Sequence, residues 1–168
     1  MAAFLWIFWS FSLLGWVLER LFAAVTRSPR RRRRCLLLLP LCPVYGLGMA
    51  AVLALPPSLR SGWPLYLWGG LTATSVEYIY HWWGETFLSV SFWDYTGVFG
   101  NLRGRVCLPF SLAWGLLLFP AVYLVTPPVL ALADRVPVGV TWWLLLAFTA
   151  AAVCSPVSYT HLTLPPTS

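Results

Sequence analysis

The sequence predicts an all-α protein, a polytopic bundle of transmembrane helices. Of its 168 residues, 60% are hydrophobic and only 10% are charged, and the mean hydropathy is +0.76. A soluble domain has roughly a quarter of its residues charged, and a domain of this size cannot bury so much apolar surface. Long apolar segments also recur along the chain. Each has a length close to that of a membrane-spanning helix, which needs about 20 residues.

About five spans are predicted. They cover residues 3–24, 35–55, 64–83, 106–125 and 138–153. We expect Pro56 and Pro57 to end the second span and Pro127 and Pro128 to end the fourth, because proline lacks the helical N–H donor. No basic residue precedes the first span, so we expect a retained helix there and not a secretory signal peptide.

The arginines predict the orientation in the membrane. Nine of the eleven basic residues lie at the end of the first span, in the first loop, or between the third and fourth spans, namely Arg20, Arg27, Arg30 to Arg34, Arg103 and Arg105. By the positive-inside rule these loops are cytoplasmic, which places the N-terminus outside. A basic run beside apolar segments is typical of the cytoplasmic membrane side, so no nucleic-acid partner is expected.

Several function classes are excluded by what the sequence lacks. It contains no lysine, so it has neither the P-loop lysine of an ATPase nor a Schiff-base lysine. Its four cysteines form no C-x-x-C pair and no Cys/His metal spacing. We therefore expect apolar filler cysteines, no metal and no cofactor.

Residues 1–155 are expected to form a single membrane domain. Residues 157–165 resemble a translated sequencing adaptor, so we expect residues 156–168 to be a non-native tail in which His161 has no function. The natural chain is then cut short near residues 154–156, and a further span can follow. The alternative is a natural polar tail.

Acidic residues within the predicted spans are energetically unfavourable, because placing an ionisable group at the bilayer centre costs at least about 2.5–3.5 kcal/mol. Each one therefore needs a compensating interaction or a function. Glu77 lies about 20 Å along the third span and therefore needs a partner, a proton or a water-filled cavity. His81, one turn below, is a candidate partner, and Glu85 shares the same face. Glu19 either snorkels with Arg20 to the headgroups or faces the bundle.

Two irregular segments accompany these acids. The aromatic, glycine-rich stretch around Asp94 predicts an interfacial or re-entrant segment between the third and fourth spans. Asp94 is expected to accept backbone N–H groups, to pair with Arg103 or Arg105, or to be a plain turn residue. In the second span, Pro40 and Pro43 are expected to kink or break the helix.

The candidate residues fall into two groups. A pathway or buried polar network comprises Glu19, Glu77, His81, Glu85, Asp94 and Arg105. The motif residues with a structural role are Gly15, Trp16, Pro43, Tyr45, Gly46, Trp93, Tyr95, Asn101 and Gly104.

The order of these motifs resembles a known family. The run is Gly15-Trp16-x-x-Glu19, Pro40-x-Cys42-Pro43-Val44-Tyr45-Gly46, Glu77-Tyr78, Trp93-Asp94-Tyr95-Thr96, Asn101-x-x-Gly104-Arg105-Val106-Cys107 and Trp114-Gly115. Over residues 4–118 it is similar to the CmpB-like "putative ABC-transporter permease" family of bacterial integral membrane proteins. The chain departs from the family at Arg34-Cys35 and Leu39-Pro40, where glycines are usual, and at Thr96, where serine is usual.

The resemblance implies a multi-pass permease component of the bacterial cytoplasmic membrane. We expect no enzymatic activity, because the sequence has no catalytic motif and no lysine for an ATPase site. The expected partners are the lipid bilayer, a separate ATP-binding subunit and further copies of the chain itself. Glu19, Glu77 and Asp94 would then line or gate a path, and residues 84–105 would dock the ATPase. One alternative is a non-catalytic scaffold or regulatory factor whose buried acids are structural pairs. The other is a lipid-acting enzyme using Glu77, His81, Glu85 and Asp94, although no nucleophile motif or paired histidine accompanies them.

Overall fold

The computed structural model describes residues 2–26 and 40–154. Within these ranges the protein is helical with connecting loops, and the only β-type pairing is an isolated bridge between Leu102 and Val106. The helices are α1 (Ala2–Thr26), α2 (Pro43–Ala54), α3 (residues 62–88), α4 (Leu108–Arg135) and α5 (Val138–Cys154). The all-α prediction is confirmed.

Only part of the predicted membrane architecture is supported. Two helices, α1 and α4, are long and apolar enough to cross a membrane by length and composition. The five-span bundle is not confirmed, because α2 has 12 residues, about 18 Å, and α5 is also short. The orientation and the re-entrant segment stay predictions. The arginine run 30–34, residues 35–39 of the second predicted span and the tail 157–165 lie outside the described residues.

The second predicted span is not helical throughout, because residues 40–42 are non-helical. Cys42 is extended and Pro43 begins α2, a position where proline is tolerated because the first helical N–H groups have no partner within the helix. Cys42 is also disulfide-bonded, so the expectation of plain filler cysteines is wrong for this residue. A disulfide needs two neighbouring Cα atoms and not a C-x-x-C spacing. Cys107 is a buried thiol.

The fourth predicted span ends later than expected. Pro127 and Pro128 do not end it, since α4 continues to Arg135. The prolines follow a π-helical turn, Ala121–Val125, and occupy the first turn of the segment after it. There the missing N–H group costs little. A second π-helical turn, Leu65–Gly69, lies near the start of α3.

The helices pack around a shared apolar core. α1 packs against α2, α2 against α3, and α3 against the first half of α4, while the last part of α4, Thr126–Arg135, returns to α1. The buried core residues are Ile7, Phe11, Met49, Val52, Leu65 and Leu118. α5 lies beside α1, where Trp9 stacks on Phe148 with ring centroids 5.1 Å apart.

Two glycines allow α1 and α2 to approach closely. A Cβ atom at Gly15 would lie 2.3 Å from the ring of Tyr45, and one at Gly46 would lie 2.3 Å from the carbonyl oxygen of Phe8. The Cys42 N–H also donates a 2.9 Å hydrogen bond to the Ser12 carbonyl oxygen. These contacts position α2, and with it Tyr45, against α1.

Gly46→Ala should destabilise the α1–α2 contact by about 1–3 kcal/mol, the usual cost of overpacking. The added methyl group would meet backbone, which cannot rotate away. The measurement is thermal unfolding of the purified chain in mild detergent. Gly48→Ala on the same helix is the matched control, because a Cβ there has no atom within 4 Å. Equal melting temperatures for the two variants would contradict the prediction.

Candidate functional site

Glu77 is the most deeply buried acidic residue among those described, with 1% of its surface exposed. It projects from α3, and its Oε1 accepts a 3.2 Å hydrogen bond from the Tyr95 hydroxyl. Its Oε2 accepts a 2.8 Å bond from the indole N–H of Trp114 on α4. One carboxylate therefore joins α3, α4 and the loop between them.

His81, expected as a partner of Glu77, makes its hydrogen bonds to the loop. Its Nε2 lies 2.9 Å from the Trp93 carbonyl oxygen and 3.2 Å from the Ser91 hydroxyl. Since a carbonyl can only accept, Nε2 must carry a proton. Nδ1 lies 3.7 Å from Glu85 Oε1 on the next turn. Glu77 and His81 share a helix face, and the hydrogen bonds described for them go to different groups.

Arg105 fastens the loop to α3. Its Nε donates a 2.7 Å bond to Glu85 Oε2, and a terminal nitrogen donates a 2.9 Å bond to the Tyr78 hydroxyl. The Trp93 indole N–H donates a 2.7 Å bond back to the Arg105 carbonyl oxygen. The arginine is thus part of the network through Glu85, and not through Asp94.

Asp94 stands apart from this network as an exposed turn residue. Its Oδ1 accepts a 2.7 Å bond from the Thr96 N–H. Hydrogen bonds from the Thr96 hydroxyl and N–H hold the pKa of Asp94 below its ordinary value of 3.8. Of the three roles expected for Asp94, the structure shows the acceptor of a backbone N–H in a turn.

Glycine conformation shapes the rest of the loop. Gly104 has φ +68°, and a Cβ there would lie 2.8 Å from the Thr96 hydroxyl oxygen. Asn101 Oδ1 accepts the Gly104 N–H at 3.2 Å, and the Gly104 carbonyl oxygen accepts the Tyr95 N–H at 2.8 Å. Asn101 and Gly104 therefore hold Tyr95 where its hydroxyl reaches Glu77.

Glu19 faces the bundle. The Tyr45 hydroxyl donates a 2.5 Å hydrogen bond to Glu19 Oε1, and the Tyr45 ring packs edge-on against Trp114 with centroids 5.1 Å apart. The guanidinium of Arg20 lies 5.2 Å over the Trp16 ring. Tyr45 and Trp114 thus connect the surroundings of Glu19 to those of Glu77.

Two cavities adjoin these acids. The larger, about 310 Å³, lies between α1, α2, α3 and α4, and Glu77 is its one acidic lining residue among those described. The smaller, about 160 Å³, is lined by Glu19 and Tyr95. Both are lined by Leu18, Tyr45, Trp114 and Leu117. Within residues 2–26 and 40–154, no three His, Cys, Asp or Glu side chains converge as a metal site.

The six predicted network residues therefore separate into three places. Glu19 and Glu77 border the cavities, His81, Glu85 and Arg105 form an adjacent polar network, and Asp94 belongs to a turn.

With this geometry in place, comparison with known proteins identifies the family. The sequence profile of the CmpB family, described as "Putative ABC-transporter type IV", matches residues 6–158. The chain belongs to this family. The match extends well beyond residues 4–118, the stretch over which the motifs indicated the resemblance. No curated protein and no solved structure matches the chain.

Two residues that hydrogen-bond within the network, Trp114 and Tyr78, belong to the motifs that resemble the CmpB family. They were not predicted as site residues. Trp114 donates to Glu77 from 37 positions away, and Tyr78 accepts from Arg105 across 27 positions. No periodicity connects residues so far apart on different helices. The recurrence of Glu77-Tyr78 and Trp114-Gly115 in the family motif was the available signal.

Trp114→Phe should destabilise the CmpB-family chain by about 1–3 kcal/mol, because it keeps the aromatic packing but removes a donor to a buried carboxylate. Tyr95→Phe is the matched variant and should cost less, since its hydrogen bond is 3.2 Å long and that of Trp114 is 2.8 Å. Denaturant unfolding of both variants in detergent measures the difference. A larger loss for Tyr95→Phe would contradict this ranking.

The Asp94 turn should weaken in acid. Because the folded-state pKa lies below 3.8, the carboxylate stabilises the turn fully above about pH 4, and this contribution is lost as the pH falls through the folded-state pKa. Hydrogen exchange of the Thr96 N–H against pH measures this change after correction for intrinsic exchange. Asp94→Asn, which keeps an acceptor but does not titrate, should show no such step. An identical profile for the two proteins would contradict the assignment.

Proposed function

We propose that the chain is the integral-membrane, permease-like component of an ABC-type transporter and acts with a separate ATP-binding subunit. The observation that carries this proposal is the partly open cavity of about 310 Å³ between four helices, with the Glu77 carboxylate in its wall. Membership of the CmpB family supports the transporter class. A permease needs an internal space with a few polar groups that select the passing molecule.

A membrane setting is supported by apolar helices that the fold leaves uncovered. Only 22% of the most apolar stretch of α1 and 11% of that of α4 is buried. Such surfaces are stable when hydrocarbon surrounds them. In this proposal the other apolar segments complete a multi-pass bundle in the bacterial cytoplasmic membrane, with the N-terminus outside.

The composition supports an ATP-binding site outside these residues. The 168 residues contain no lysine, so they offer no P-loop lysine to hold the β- and γ-phosphates of ATP. In this proposal a separate subunit supplies that site.

The loop between α3 and α4 supports a docking role. The loop is held by the Arg105–Glu85 ion pair and by the isolated bridge between Leu102 and Val106. Its tip leaves Phe99 77% and Leu102 56% exposed, with Arg103 beside them. A rigid loop with an apolar and basic tip, on the predicted cytoplasmic side, suits attachment of an ATP-binding subunit.

The first test is affinity purification of the chain, ending at Ser155, in mild detergent from a related bacterial host. We expect an ATP-binding subunit to co-purify, and Glu77→Gln to lower the ATP turnover of the complex by about tenfold, equivalent to about 1.4 kcal/mol. Asp134→Asn is the control, because Asp134 is an exposed acid away from both cavities.

A chain recovered alone, as a homo-oligomer indifferent to ATP, would contradict the permease proposal. One observation would then favour a scaffold, namely that Glu19, Glu77 and Glu85 each have a hydrogen-bond partner within the protein. In a scaffold these acids would only hold helices together. The charge swap of Glu85 and Arg105 would then restore stability, which each single change lowers.

A further inference from the structure

The long helix α4 is divided by an irregular turn. Its first part, Leu108–Pro120, and its last part, Thr126–Arg135, are α-helical, and the π-helical turn Ala121–Val125 lies between them. A π turn within a helix is a common place for the helix to bend, and such turns are frequent at functional sites. α4 can therefore bend at this turn.

Prolines remove backbone hydrogen bonds on both sides of the turn. Pro120 precedes it, and Pro127 and Pro128 follow soon after it. Each proline lacks the N–H group that an α-helix directs to the carbonyl oxygen four residues earlier. Thr126 closes the turn instead, because its backbone N–H and its hydroxyl both donate to the Ala121 carbonyl oxygen. The bonds of one threonine thus hold the bend of α4.

The first part of α4 is fixed to α3 by close backbone packing. A Cβ atom at Gly70 would lie 3.2 Å from the Gly115 Cα atom, and one at Gly115 would lie 2.9 Å from the Tyr66 carbonyl oxygen. Trp114 of the same part donates its hydrogen bond to Glu77 of α3. This part of α4 and α3 therefore behave as one body.

The last part of α4 has a different neighbour. It packs against α1, where Val129 and Leu130 contact the shared apolar core. The next helix, α5, is joined to α1 by a hydrogen bond from the Trp6 indole to the Thr141 hydroxyl, which at 3.4 Å is long. Apolar contacts and a long hydrogen bond can separate and re-form without the loss of a short, strong bond.

The junction of the two parts forms one wall of the larger cavity. Pro120, Ala121 and Val125 line this cavity together with Phe11 and Leu14 of α1. A bend at the turn that moves the last part of α4 away from α1 would therefore widen the cavity, and the opposite bend would close it.

We propose that Ala121–Val125 is a hinge about which Thr126–Arg135 and α5 swing relative to α1, and that this movement opens and closes the larger cavity. Thr126 is the positioning residue that holds the hinge in its closed form. The hinge is a property of α4 and needs no ATP-binding subunit, so the inference goes beyond the proposed function. In a permease the same movement would gate the cavity.

The first test measures distances across the hinge in the full chain, in phosphatidylcholine nanodiscs. Spin labels on an encoded keto amino acid, which leaves the native cysteines unchanged, replace exposed leucines. One pair is Leu47 of α2 with Leu132 of the last part of α4, and the reference pair is Leu47 with Leu112 of the first part. Pulsed EPR should give an open and a closed distance for the first pair and a single distance for the reference. Equally narrow single distances for both pairs would overturn the hinge.

Returning backbone donors to α4 should stiffen the hinge. Pro127→Ala combined with Pro128→Ala supplies two N–H groups, so the ratio of open to closed populations should fall about tenfold. Pro56→Ala combined with Pro57→Ala is the matched control, because these prolines are also adjacent and exposed but lie outside α4. The same ratio in both double variants would overturn the proposal.

Thr126→Val tests the residue that closes the turn. It keeps the shape of the side chain but removes the hydroxyl bond to Ala121, so the ratio of open to closed populations should rise about fivefold. Thr126→Ser keeps the hydroxyl and should leave the ratio unchanged. A ratio that is unchanged in Thr126→Val would overturn the role of Thr126.

Met49 reports whether the hinge opens the cavity. It lines the larger cavity and is buried, and the chain has one other methionine, Met1, as an internal reference. With ¹³C-methyl methionine, the Met49 signal should show exchange on the microsecond-to-millisecond timescale of hinge motions. The double variant at Pro127 and Pro128 should suppress this exchange. Distances that respond to the variant while the Met49 signal does not would overturn the opening of the cavity.

These measurements are made on the chain alone, so their failure is distinguishable from failure of the proposed function. A hinge in a chain that purifies without an ATPase would keep this inference and remove the permease role. An ATPase-bound chain with a rigid α4 would do the reverse.

Discussion

The structure depends on satisfying one buried carboxylate. A charged side chain removed from water is stable only if hydrogen bonds replace its hydration. Glu77 meets this requirement with the hydroxyl of Tyr95 and the indole N–H of Trp114. Because these donors come from the α3–α4 loop and from α4, the same two bonds fix the loop and both helices. The wall of the larger cavity is built on that junction.

A second constraint is the close approach of α1 and α2, which glycine permits. The ring of Tyr45 lies where Gly15 has no side chain, and from there its hydroxyl reaches Glu19. The same ring packs against Trp114, so the two acidic centres share their aromatic neighbours. This arrangement places the two cavities side by side, with Leu18, Tyr45, Trp114 and Leu117 lining both.

Prolines show where local sequence rules were sufficient and where they were not. Pro43 begins α2 as a first-turn proline, as local rules predict. Pro127 and Pro128 were expected to end a helix, yet α4 continues past them because the π-helical turn Ala121–Val125 precedes them. Directly after this π-helical turn, the Thr126 hydroxyl donates a 2.8 Å hydrogen bond to the Ala121 carbonyl oxygen. A π turn has no simple sequence signal, so the span was predicted too short.

The sequence by itself determined the all-α class, the apolar character of the helices, the break before α2 and the family, because these depend on composition and on short motifs read along the chain. It also indicated that Glu77 needs a partner, since removing a carboxylate from water is costly in any fold. Only the tertiary structure decided which partner, because Trp114 lies 37 positions away on another helix. It likewise decided that Arg105 pairs with Glu85 and that Asp94 remains in its turn. The physical reason is that hydrogen bonds and cavities depend on distances between helices, and helix packing sets those distances.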